Sequence, residues 1–212
     1  MAQTLYYLFD PLCGWCYGAT PAVARLRETT DVAVELLPTG LFSSAGARPM
    51  DDDFAAYAWT NDQRIERLTA QRFTERYRTQ VLGDRQRLFD SGPATVALTA
   101  VALAEPIREL DALKAIQQAR YVDGQDVTSL ETLAALLRTL KLDAAADRLA
   151  APDAALLDAV RARTDGAQAL MQGFGARGVP TFIVEANGQR RLLQTSTIYT
   201  DPQALAKQLE TA

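Results

Sequence analysis

The chain opens on a short apolar run, 4–10 ("TLYYLFD"), that stops at Asp10-Pro11. Its brevity and its aromatic content predict a strand buried on at least one face. Beyond it, Ala19, Val23 and Leu26 fall at helical spacing, with Pro21 inside the pattern as an expected kink. A second run over 32–42 ("VAVELLPTGLF") is β-branched and apolar until Pro38 and Gly40, and predicts another strand. The first 42 residues therefore read as a βαβ unit.

The period then changes. Residues 43–53 form a polar connection containing Gly and Pro. From there to about residue 175 the apolar positions recur at helical spacing, and no strand is expected. Ile65, Leu68, Phe73, Tyr77 and Val81 predict one amphipathic helix. Ser91 and Pro93 open a second over 91–105. A third starts near Pro106 and carries Ile107, Leu110, Leu113 and Ile116; a fourth starts at Thr128, where Thr128-x-x-Glu131 fits a capping box. Leu156, Val160, Ala167, Leu170 and Phe174 mark a further helix ending at Gly175. A strand returns at 179–186, Asn187-Gly188 signals a two-residue hairpin turn, and 189–196 is the returning strand. Asp201 as N-cap and Pro202 as first helical residue open a closing helix. The order is βαβ, a helical block, then ββα, so the block reads as an insertion into one α/β unit.

The 212 residues, 48% hydrophobic and 23% charged, have the balance of a soluble globular protein with a sizeable core. A net charge of -4 speaks against nucleic acid as a partner. No apolar run approaches the ~20 residues of a membrane span. The N-terminal stretch "MAQTLYYLFDPLCGW" has no basic start and no small-residue cleavage site, so no secretory signal is expected and the setting is expected to be cytoplasmic. Histidine is absent, which removes a Ser-His-Asp triad, a Cys-His pair and every imidazole metal ligand.

Against that background stands "FDPLCGWCYG", residues 9–18, which holds the chain's two cysteines. A structural zinc site needs four ligands, so Cys13 and Cys16 could supply only half of one shared between subunits. A buried structural disulfide is a second reading, set against it the reducing character of the cytosol. The third is a catalytic dithiol. Cys13 follows a strand and a turn and stands where a helix begins, so unpaired N–H groups and the helix dipole favour its thiolate. Cys16 lies within the same first turn, close enough to attack a mixed disulfide at Cys13. Order thus makes Cys13 the exposed nucleophile and Cys16 the buried resolving thiol; C-x-x-C beside a βαβ pattern fits this arrangement. Downstream, "GVPTF" sets Pro180 after Val179 at the start of a strand, where proline is confined to an edge, a first residue or a cis bond.

These features together resemble the thioredoxin fold, and the helical block resembles its DsbA-like branch. "FDPLCGWCYG", "PTGLF", "IQQARYVDGQDVT" and "GVPTF" are similar to the cytosolic, signal-less members described as predicted protein-disulfide isomerases. The resemblance implies a thioredoxin-like domain in two halves, 1–45 and 151–212, with an all-α domain inserted over 46–150. It implies a thiol–disulfide oxidoreductase or isomerase whose redox pair is Cys13 and Cys16. Val179-Pro180 would be a cis peptide beside Cys13, and the Val179 backbone would pair with an extended substrate segment. Trp15 joins them as a substrate contact, Gly14 and Thr181 as motif positions that tune the pair, and the helical block as a lid. No cofactor or metal is implied; glutathione is a candidate co-substrate, and the partners are protein or small-molecule thiols and disulfides, with no nucleic acid and no membrane.

One departure matters. DsbA itself carries Pro-His between its cysteines and is strongly oxidising. Here the pair is Gly14-Trp15, without the histidine, which predicts a less oxidising couple. Trp15 serves equally well as an exposed platform beside the thiol or as a packing residue against the helices. Asp10, Tyr17 and Arg177 lie near the motif, but such residues more often cap or meet solvent. The stretch from Arg64 to Arg87 sets seven arginines against Glu66, Glu75 and Asp84, a docking face for an acidic partner or, more simply, a solvated helix face with local ion pairs. Two other functions stay open: a glutathione-dependent transferase or isomerase of the kappa class, which needs a single activated group, and a redox-switched peptide-binding module. Substrate, direction of electron flow and oligomeric state are not readable from the sequence.

Overall fold

A computed structural model describes residues 3–201 and 203–210. The first strand, β1 (Thr4–Phe9), leads through a turn into α1 (Gly14–Thr29) and then β2 (Ala33–Pro38). Two-residue strands β3 (Arg48–Pro49) and β4 (Leu88–Phe89) flank α2 (Asp52–Thr69) and α3 (Glu75–Gln80). Five helices follow: α4 (Gly92–Ala104), α5 (Glu109–Tyr121), α6 (Leu130–Thr139), α7 (Asp143–Ala150) and α8 (Ala154–Gly173). The chain closes with β5 (Thr181–Ala186), β6 (Gln189–Leu192) and α9 (Ala204–Glu210).

The main sheet has the order β2-β1-β5-β6, with β1 and β2 parallel and the other two pairings antiparallel. Alternation along β1 splits its side chains between two faces. Leu8, with Leu37 and Ile183, packs under Ala167 of α8, and Tyr6, Leu170 and Phe174 border that cluster. Leu5, Tyr7 and Phe9 enter the larger core with Val23 and Leu26 of α1 and Leu205 and Leu209 of α9. That core continues without a break into the inserted helices through Ile65, Leu98, Leu113 and Ile116. The architecture expected from the sequence, two halves of an α/β unit around a helical insertion, is the one observed.

Several local expectations need correction. The single helix expected through Ile65 and Val81 is two, because Ala70 takes a left-handed conformation (φ 59°) and Thr74 caps a new helix by accepting from the Tyr77 amide. The fourth helix starts one residue late. Ser129, not Thr128, accepts from the Thr132 amide, while the Thr128 hydroxyl is spent on Asp126. The β3–β4 pair was not expected: β3 falls in the 43–53 connection and β4 in the stretch expected to hold no strand, and two residues are too few for a period to show. The short helix α7 has no counterpart among the expected elements. Pro21 does not interrupt α1. Its missing N–H leaves the Tyr17 carbonyl without a helical donor, and the Gln71 side-chain amide fills that place at 3.2 Å. The hairpin turn at Asn187-Gly188 has positive φ at both residues, as a type I′ turn requires. Asp201 caps the last segment by accepting from the Gln203 amide, while Pro202 lies outside the described residues. Among the described residues no helix is long and apolar enough to cross a membrane.

Candidate active site

The turn between β1 and α1 is built around Asp10, which is fully buried. Its carboxylate accepts from the Leu12 amide at 2.9 Å, the Phe42 amide at 3.1 Å and the Ser91 hydroxyl at 2.7 Å. Burial raises this carboxyl, and those three donors with the Arg120 charge oppose the rise. Asp10 thus fastens the turn to β2's exit loop and to the start of α4, a structural role. The Asp10 carbonyl accepts from the Cys13 amide at 3.1 Å, and Cys13 is the N-cap of α1, with extended backbone and no side-chain cap bond. From the other side, Tyr121 of α5 donates its hydroxyl to the Leu12 carbonyl at 2.7 Å. The cysteine-bearing turn is therefore held by both halves of the molecule.

Both cysteines are buried, so the exposed position expected of Cys13 is not what the structure shows. Cys13 is 8% exposed and Cys16 fully buried, and no disulfide joins them. Burial holds the Cys16 thiol well above its ordinary value, and the neighbouring Cys13 adds to the rise. The Cys16 carbonyl is taken by the hydroxyls of Tyr7 and Thr20, each at 3.0 Å, which fixes the first turn of α1. The Cys13 thiol faces the Val179 carbonyl at 3.7 Å, and the Val179-Pro180 peptide is cis. Thr181, buried behind Pro180, donates its hydroxyl to the Gly178 carbonyl at 2.7 Å and closes the approach to β5. The sequence-predicted residues Cys13, Cys16, Val179, Pro180 and Thr181 thus converge, although 166 positions separate Cys13 from Val179.

Trp15 is half-buried. Its ring meets Tyr199 edge-on at 5.0 Å between centroids, and the exposed Arg64 guanidinium stands 5.7 Å above it. Tyr17 turns inward to stack on Tyr121 and meet Phe73, and burial pushes its hydroxyl up to about 12. Of the arginine-rich stretch, Arg78, Arg85 and Arg87 pair with Glu75, Asp52, Asp84 and Asp126, which favours the simpler reading of a solvated face. A groove of about 540 Å³ runs along the flank of α1, lined among others by Tyr17, Arg25, Gln71, Lys114 and Tyr199; neither cysteine lines it. Among the described residues no three His, Cys, Asp or Glu side chains are grouped to hold a metal ion.

Asp62 is a contact the sequence reading missed. It lies on α2, 4% exposed, and accepts the Tyr77 hydroxyl on Oδ2 at 2.9 Å. Its Oδ1 occupies the space a side chain at Gly14 would need, so that a Cβ there would overlap it. The available signal was a carboxylate three positions before Ile65, on the apolar stripe of its helix. Nothing local says what lies opposite that stripe.

A family model described as a DSBA-like thioredoxin domain matches residues 4–210. Among solved structures, the cytosolic disulfide reductase DsbM from Pseudomonas aeruginosa is 34% identical, with a TM-score of 0.87 over 99% of this chain and 100% of that one. The same reductase determined with glutathione is 33% identical, with a TM-score of 0.86 over 98% of each chain. A 2-hydroxychromene-2-carboxylate isomerase superposes with a TM-score of 0.64 over 98% of this chain and 97% of its own; at 13% identity it shares the fold. No curated protein matches the chain.

Proposed function

The chain belongs to the DSBA-like thioredoxin domain family and is a thiol–disulfide oxidoreductase, and on that premise we propose that Cys13 attacks, Cys16 resolves, and the pair works as a reductant in the cytosol. The observation that carries this reading is the asymmetry of the pair. Cys13 keeps 8% of its surface open and faces the Val179 carbonyl, whereas Cys16 is fully enclosed with its thiol held well above its ordinary value.

The exchange balances without an external cofactor. The Cys13 thiolate attacks one sulfur of a substrate disulfide, forms a mixed disulfide and releases the other substrate sulfur as a thiolate. Cys16 then attacks the Cys13 sulfur, its proton passes to the departing second thiolate, and a Cys13–Cys16 disulfide remains. Two molecules of a small thiol return it to the dithiol and leave as one disulfide. Glutathione is the candidate for that role, supported by the glutathione-bound structure of the related reductase. The Val179 backbone beside Cys13 supplies an edge against which an extended segment can pair, and Trp15 with Arg64 forms the outer wall. Gly14-Trp15 in place of Pro-His removes one thiolate-stabilising group, consistent with reduction rather than oxidation.

The test is turnover of a peptide disulfide with glutathione as electron donor. Wild type is expected to turn over. Cys13→Ser is expected to fall to background because the first attack is lost, and Cys16→Ser to lose the intramolecular step and turn over the peptide disulfide only as fast as glutathione itself resolves the Cys13 mixed disulfide. Full turnover by Cys16→Ser on an electrophile plus glutathione would instead assign a transferase.

A further inference from the structure

The groove along the flank of α1 offers about 540 Å³, room for a small organic molecule, and it is lined by neither cysteine. Its walls come from α1, the end of α2, α5 and the 3-10 turn Ser196–Tyr199. Two cations stand on its rim. Arg25 of α1 and Lys114 of α5 are exposed, and among the described residues neither has an ion-pair partner. Glu28 is the one carboxylate among the lining residues, so the groove keeps a net positive charge in a chain whose own net charge is -4.

The floor adds a donor without an acceptor. Gln117 lines the groove and is fully buried. Its Oε1 accepts from the Thr20 hydroxyl at 2.8 Å, whereas its Nε2 has no hydrogen-bond partner. A buried N–H in that state is costly, and native structures leave few of them. The remaining wall is apolar at Pro21, Ala22 and Ile198.

We propose that this groove is a second binding site, for a small amphipathic carboxylate. Arg25 and Lys114 take the carboxylate, one cation to each oxygen. Gln117 Nε2 donates to a carbonyl or hydroxyl oxygen of the ligand, and the apolar body lies on Pro21, Ala22 and Ile198. Two cations less Glu28 match a monoanion better than a phosphate, which carries nearly two charges at neutral pH. The site stands one helical turn behind the redox pair. Tyr17 lines it and donates its amide to the Cys13 carbonyl at 3.0 Å; Tyr199 lines it and sets its ring against Trp15. A ligand there leaves Cys13 open to exchange.

The experiment is an NMR titration of the reduced protein with N-acetylphenylalanine, which carries a carboxylate, an amide carbonyl and an apolar ring. Hexanoate is the second acid, and the neutral primary amide of N-acetylphenylalanine is the control. The acids are expected to shift the Gln117 side-chain amide and the backbone amides over 17–25 saturably at millimolar concentration. The neutral amide is expected to bind about tenfold more weakly, the loss of a charge-assisted hydrogen bond. Arg25→Ala with Lys114→Ala, both exposed and so harmless to folding, is expected to weaken the acids by a similar factor, and Cys13→Ser to leave them unchanged. Three results overturn the proposal: no saturable shift at Gln117 with either acid, equal binding of the acid and its amide, or unaltered binding in the double variant. Binding lost in Cys13→Ser overturns it too, because the probe then sits on the thiol.

Discussion

Cys13 and Cys16 are chemically the same residue, and their surroundings make them different. One caps a helix beside a carbonyl with 8% of its surface open; the other is packed beneath it with the hydroxyls of Tyr7 and Thr20 tied to its backbone. Asp62 adds a titrating group to this neighbourhood, and its effect on stability has a definite sign. Its carboxyl has a folded value of about 7 against an ordinary 3.8, so the folded state holds the proton more tightly. Its stabilising contribution is complete below about pH 4 and is lost as pH rises through about 7. Urea denaturation over that range should show wild type losing on the order of 2–4 kcal/mol relative to Asp62→Asn. Parallel stability curves for the two proteins would contradict the burial argument.

At the scale of elements, α8 holds the sheet to the inserted helices. Its Arg163 donates to the Leu36 carbonyl of β2 at 2.7 Å, to Thr99 of α4 at 3.2 Å and to Glu109 of α5 at 2.5 Å. Glu109 is buried, which pushes its carboxyl up to about 7 while Arg163 draws it down. Arg163→Ala leaves that carboxylate enclosed without its cation, so chemical denaturation near pH 8 should show a loss of about 3–5 kcal/mol. The loss should shrink toward pH 5, where Glu109 can take up a proton instead. A loss independent of pH would mean that packing, not charge, sets the cost. The same scale shows where periodicity fails. The spacing through Ile65, Phe73 and Tyr77 stays helical across a break, because one left-handed residue at Ala70 reorients the chain without disturbing the count. Pro21 is the reverse case: a helix breaker by rule, tolerated because Gln71 reaches across to the freed carbonyl.

For the molecule as a whole, the order of elements was legible because the hydrophobic period shifts twice, near residues 43 and 175. The candidate pair, Cys13 and Cys16, stood out because its spacing and its place at a helix start carry their own chemistry. The support around it did not. Ser91 to Asp10, Tyr121 to Leu12 and Asp62 to Gly14 each join residues tens of positions apart, and no local pattern encodes which side chain the fold will set opposite a given turn. Val179 was reached only through the resemblance, since a proline at a strand start has ordinary explanations. These long-range contacts support the proposed arrangement, in which substrate would meet Cys13 first and Cys16 second. The most direct test is the mass of the stalled intermediate. Cys16→Ser treated with oxidised glutathione, unfolded only after quenching, should carry one glutathionyl group on Cys13, and Cys13→Ser treated alike should carry none. An adduct on Cys16 in the Cys13→Ser protein, or no adduct in either, would contradict the account.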